Sequence, residues 1–158
     1  MRPPVRCTVV LLLPLLLAAA IAQAQASPDP ESLELPTLVG LTVPEALERF
    51  GAPAEVFAAR GAEPWQDDVV FYYPPGFYLF WYQNRVWQAR VDDSFEGTFL
   101  NLSMGRSREQ VLAALGPPMR EVGDSLVYHL EDRGYPVRLR LYFRDGILAD
   151  AYCYRGDL

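Results

Sequence analysis

The chain offers few side chains suited to bond-making chemistry. His129 is its single histidine, so no site built from several imidazoles can form. Ser125, Val127 and His129 alternate along an extended run and share a face, yet a Ser and a His four apart on one strand do not touch as a nucleophile–base dyad. A Cys153–His129 thiol pair is the remaining nucleophilic option, and nothing in the sequence beside Cys153 would lower its pKa. Asp67-Asp68 and Asp92-Asp93 pair carboxylates without the loop pattern of oxygen ligands that a hard cation needs, and they read as solvated strand ends. Asn101-Leu102-Ser103 fits a glycosylation sequon, to which the bacterial-looking architecture gives no meaning. No metal, no cofactor and no catalytic residue are expected; the chain reads as a non-enzyme.

Binding chemistry is better represented. Phe71 to Trp87 holds nine of the chain's twenty aromatic residues, more ring surface than one small core uses. Val137 to Arg144 alternates Leu139, Leu141 and Phe143 with Arg138, Arg140, Tyr142 and Arg144. Every basic residue is arginine, whose planar fork stacks on rings and grips carboxylates. Aromatic and Arg side chains together are the types that dominate binding energy at protein interfaces.

Arg2 and Arg6, the apolar run Thr8–Ala22 and the small-x-small site Ala24-Gln25-Ala26 have the layout of a secretory signal peptide, residues 1–26. Fifteen apolar residues are short for a membrane span, and Cys7 precedes the run, so no lipid-attachment box follows it. A periplasmic or secreted protein is expected. Loss of two arginines makes the mature chain more acidic than the −6 of the whole, which argues against nucleic acid as a partner. Cys153 alone survives cleavage; the fold must manage without an internal disulfide, and Cys153 reads as a buried small hydrophobe.

The elements that must position these residues are written twice. After an exposed lead-in at 27–37, Gly40-Leu-Thr-Val-Pro-Glu-Ala-Leu-Glu-Arg-Phe-Gly51 recurs as Gly105-Arg-Ser-Arg-Glu-Gln-Val-Leu-Ala-Ala-Leu-Gly116, at an offset of 65. Thr42 with Glu45, and Ser107 with Gln110, form capping boxes that start a short helix, and Gly51 and Gly116 stop it, with Pro53 and Pro118 two residues on preventing continuation. Such helices are too short to stand alone and must dock on a sheet. Extended runs follow at Asp68–Tyr73, Phe77–Gln83 and Val86–Val91, and again at Ser125–Leu130, Val137–Arg144 and Ile147–Tyr154, where Asp145-Gly146 signals a tight hairpin. Phe80–Val86 aligns with Leu141–Ile147 at an offset of 61, which leaves four extra residues, as a loop or helical turn, around Ala54–Gln66. The expected fold class is α+β: repeat 1 at 38–93 and repeat 2 at 94–158, each a short helical segment on a three- to four-stranded antiparallel sheet, with one face open and concave.

Met104-Gly105-Arg-Ser-Arg-Glu-Gln-Val111, Leu115-Gly116-Pro117-Pro118 and Tyr142-Phe143-Arg-Asp145-Gly146 carry a resemblance to the β-lactamase-inhibitor-protein fold and the related SmpA/OmlA outer-membrane assembly factors. The resemblance runs from about Leu38 onward and rests on structural punctuation, so it implies a fold and a role in binding other proteins, not catalysis. The chain departs from the assembly factors in lacking a lipid-attachment cysteine and from the inhibitors in lacking disulfides.

Arg on one face of Val137–Arg144 marks that face as solvent. Transfer by 61 then places Tyr78, Phe80 and Tyr82 inward and Phe77, Leu79 and Trp81 on the open face, beside Arg138, Arg140, Tyr142 and Arg144. Cover from the 54–66 loop or the lead-in is the alternative for Phe77 and Trp81. The faces of Arg90 and Asp150 stay open, because alignment puts them on opposite sides. The expected function is a protein-binding module, assembly-factor-like or inhibitor-like; the alternative is an envelope protein that binds a glycan or a small hydrophobic ligand.

Overall fold

Short helices with strong caps and long alternating strands settle into one helical layer on a single large sheet. The computed structural model describes residues 32–61 and 67–158. Residues 1–31, which include the expected signal peptide and the start of the lead-in, lie outside the described residues, as do 62–66. In chain order the elements are α1 (Leu35–Leu38), α2 (Val43–Phe50), β1 (Glu55–Ala59), β2 (Asp68–Tyr73), β3 (Phe77–Tyr82), β4 (Arg85–Asp92), β5 (Thr98–Phe99), β6 (Leu102–Ser103), α3 (Arg108–Leu115), β7 (Arg120–Val122), β8 (Ser125–His129), β9 (Val137–Arg144) and β10 (Ile147–Arg155).

Eight strands form one antiparallel sheet in the order β1-β2-β3-β4-β10-β9-β8-β7; β5 and β6 make a separate two-stranded ribbon. The last strand of the first meander therefore pairs with the last strand of the second, Ala89 opposite Cys153 at the seam. Local contacts on the two sides match. Gly40 N–H donates to the Val86 carbonyl at 2.7 Å, and Gly105 N–H to that of Leu148 at 3.0 Å. Tyr73 Oη donates to the Gly51 carbonyl, and Tyr128 Oη to that of Gly116.

The caps are as expected from the sequence. Glu45 accepts from the Thr42 backbone N–H at 2.8 Å, and Gln110 accepts from the Ser107 N–H at 2.9 Å. Gly51 and Gly116 close their helices at φ 74° and 76°. One face of the sheet takes the helices: Leu35, Leu38, Ala46, Phe50 and Val111 bury against Phe77, Leu79, Val91, Leu139, Leu141 and Ala151. The lead-in is not wholly exposed, since Leu33 and Leu35 belong to that core and Leu33 bridges to Phe99. Within Ala54–Gln66, residues 55–59 form strand β1, not a loop or helical turn. Both β1 and β7 are short edge strands with mostly exposed side chains, which hides them from a search for apolar alternation.

Candidate functional site

Burial in β3 runs opposite to the sequence expectation. Phe77, Leu79 and Trp81 are 1%, 0% and 8% exposed and face the helices, whereas Tyr82 is 47% exposed and Tyr78 and Phe80 are half-buried on the open face. The hairpin turns explain the inversion. Gln83 (φ 48°) and Asn84 (φ 60°) occupy the two central positions of the β3–β4 turn, as Asp145 (φ 52°) and Gly146 (φ 78°) do between β9 and β10. Turn matches turn at an offset of 62, and a one-residue slip flips every side chain. Asn, which tolerates a left-handed backbone better than most residues, was the signal in the sequence.

Phe77, Leu79 and Trp81 are therefore core residues without a surface to offer. Trp81 packs on Phe71 at 4.9 Å, its indole N–H buried and unpartnered. The other four expected residues do lie on the open face: Arg140, Tyr142 and Arg144 exposed, Arg138 half-buried. Arg144 is tied to Asp93 at 3.1 Å. The first half supplies Tyr72, Tyr78 and Phe80 in place of the three core residues.

Sheet register sets these side chains in rows. One row reads Glu55, Tyr72, Tyr78, Arg90, Tyr152, Arg140, Val127, Arg120 from edge to edge, each directly opposite the next. Its centre is Arg90, whose guanidinium lies 5.0 Å from the Tyr78 ring centre and 5.5 Å from that of Tyr152. Arg90 Nε donates to Asp150 Oδ1 at 2.7 Å across the seam. The sequence left this pair open because two irregularities break the count: one between Phe80 and Trp81 in the β3–β4 pairing and one between Leu148 and Asp150 in the β9–β10 pairing.

Neighbouring carboxylates are fixed in the same way. Tyr78 Oη donates to Asp92 Oδ2 at 2.8 Å, and Ser94 donates to Asp92 Oδ1 through its N–H and its hydroxyl. Burial pushes the Asp92 carboxyl up, but the hydrogen bonds and the Arg90 charge outweigh it and hold the group below the usual range. Burial first, then the bond to Asp92, drives the Tyr78 phenol well above its ordinary value; burial likewise raises Tyr152, against the pull of Arg90. Both rings are neutral at physiological pH. Asp92 and Asp68 are thus half-buried and hydrogen-bonded, not solvated strand ends; Asp68 accepts from Trp87 Nε1 at 3.1 Å. Gly76 is required by this packing: at φ 64°, a Cβ there would stand 2.3 Å from Asp92 Oδ1.

Beside the Arg90 stack the face sinks into a hollow of about 470 Å³, lined by Trp87, Gln88, Arg140, Tyr142, Tyr152 and Tyr154, among others. The nucleophile candidates are elsewhere. Cys153 is fully buried on the helix side, where burial pushes its thiol up to about 12, while His129 is on the open face beside Asp132 at 3.3 Å. The sheet separates them, so they form no thiol pair. Ser125 is buried, its hydroxyl unpartnered. Among the described residues no three His, Cys, Asp or Glu side chains come together as a metal site requires.

No family model matches the chain, and no curated protein does. The fold is similar to the crystal structure of an extracellular protein containing a SCP domain from Bacillus anthracis str. Ames, with a TM-score of 0.54 and 12% sequence identity over 79% of this chain. The match spans 46% of that structure, about half its length. At this identity the likeness is one of fold. Among the described residues no helix is long and apolar enough to cross a membrane.

Proposed function

We propose that this is a secreted, non-catalytic module that docks another protein on the open face of its sheet. One observation carries the proposal. The helix-free face, which a solitary soluble domain would coat with small polar and charged residues, is built from Tyr72, Tyr78, Phe80, Tyr142, Tyr152 and Tyr154 interleaved with arginines. The leader-like N-terminus supports export, as does the likeness to a protein described as extracellular. The paired caps and matched hairpins support two copies of one helix-and-meander unit, the architecture on which the resemblance to inhibitor proteins and outer-membrane assembly factors rests. A glycan or small hydrophobic ligand is the second reading, favoured by the rings that line the hollow.

Affinity capture from envelope and culture-medium extracts tests the proposal. Wild-type protein should retain a discrete set of proteins that the Tyr142→Ala/Arg140→Ala variant loses and that Glu48→Ala, a change on exposed α2 surface, keeps. Identical capture by all three would refute docking on this face.

A further inference from the structure

The hollow beside the Arg90 stack contains a cation without an ion-pair partner. Of the arginines on the open face, Arg90 is neutralised by Asp150 and Arg144 by Asp93, whereas the Arg140 side chain has neither a hydrogen bond nor an ion pair among the described residues. Tyr142, Tyr154 and Gln88 line the same hollow, their side chains also without a hydrogen-bonded partner among the described residues. Asp150, the acidic side chain in its wall, is occupied by Arg90, and Leu158 lines the hollow as well. Next to Arg140 on β9 stands Arg138, opposite Tyr154, its Nε buried and unpartnered. Four donor-bearing side chains thus converge on the hollow, with an unpaired cation among them, in a chain whose net charge is −6. Tyr142, Tyr154 and Gln88 can accept as well as donate, so the feature that selects a ligand here is the unpaired guanidinium of Arg140, which only donates. A carboxylate accepts only, and Arg binds it through two parallel bonds.

Resting on the docking reading above, we propose that the hollow at Arg140 receives a glutamate or aspartate side chain of the partner protein, carried on a segment whose neighbouring apolar residues lie on Tyr142 and Tyr154. Arg140 supplies the charge and the fork, and the tyrosine rings supply stiff apolar area at low entropic cost. Because Arg90 and Arg144 are already paired and Arg138 is half-buried outside the lining of the hollow, discrimination between an acidic and a neutral residue falls on Arg140.

A fluorescein-labelled peptide alternating Glu and Phe, and its counterpart with Gln for Glu, are titrated with the full chain and followed by anisotropy. The Glu peptide should bind at least tenfold tighter, since a desolvated charged hydrogen bond contributes about that factor. Arg140→Gln should bring the two peptides level, Arg140→Lys should restore part of the difference, and Arg106→Gln, the same charge change on the exposed loop before α3, should leave it intact. Equal binding of the two peptides by wild-type protein overturns the inference, as does an equal loss in the Arg106 and Arg140 variants. Preference for oligogalacturonate over the Glu peptide overturns it too, placing the carboxylate on a glycan. If both peptides bind equally and Tyr142→Ala abolishes both, the docking reading survives without the carboxylate; if neither peptide binds and capture from extracts ignores Tyr142→Ala, both fall.

Discussion

The Arg90–Asp150 pair joins β4 to β10, and its removal measures what holds the two halves of the sheet together. Side-chain exposure is 27% for Arg90 and 12% for Asp150, so both charges are largely withdrawn from water. Arg90→Met keeps the aliphatic stem but strands Asp150 beside Asp92, its directly opposite neighbour on the paired strand. Breaking one side of a fully buried pair costs about 3–5 kcal/mol; with a quarter of the guanidinium in water the cost falls below that range, to about 2–3 kcal/mol. Loss of the cation over Tyr78 and Tyr152 adds about 0.5–1 kcal/mol. The total, about 3 kcal/mol, corresponds to a fall in Tm of roughly 10 °C for a domain of this size. Urea unfolding followed by far-ultraviolet circular dichroism should show it as a lower midpoint with an unchanged slope. The decisive comparison is Arg90→Met/Asp150→Asn, which removes the stranded charge. It should be more stable than the sum of the single changes predicts, by about 1.5 kcal/mol. Additive losses within about 0.5 kcal/mol would refute the view that the seam depends on this pair.

Two further outcomes follow from the face assignments. Leu79→Ala, which opens a cavity in the helix-side core, should cost about 3 kcal/mol in urea unfolding, and Phe80→Ala, on the open face, less than half as much; the reverse order would restore the opposite parity. Cys153, its thiol pushed up to about 12 by burial, should resist dithiobis-nitrobenzoate in native protein at mildly alkaline pH and react fully in guanidinium, whereas rapid native labelling would contradict its place in the core.

Most of the secondary structure was legible because it is locally encoded. Capping boxes and stop glycines bracket α2 and α3 within a residue, and β2, β3, β8 and β9 begin where the extended runs begin. The elements that escaped notice, α1, β1, β5, β6 and β7, are short and owe their conformation to neighbours they pair with or pack under. In the candidate site, Arg138, Arg140, Tyr142 and Arg144 were readable because four polar positions on β9 leave no doubt about which face is wet. β3 has no such marker: its six residues are all apolar or aromatic, so both parities look equally like a core.

The amino-acid sequence by itself determined the α+β class, the strands that flank the seam and the Arg-bearing half of the open face, since each depends on residues within one turn or one strand. Tertiary structure decided which rings of β3 are buried and brought Arg90 to Asp150, sixty residues apart. The physical reason is the strand's period of two: a single residue of turn placement or of strand irregularity exchanges the faces, and only pairing across the sheet reveals where that residue falls.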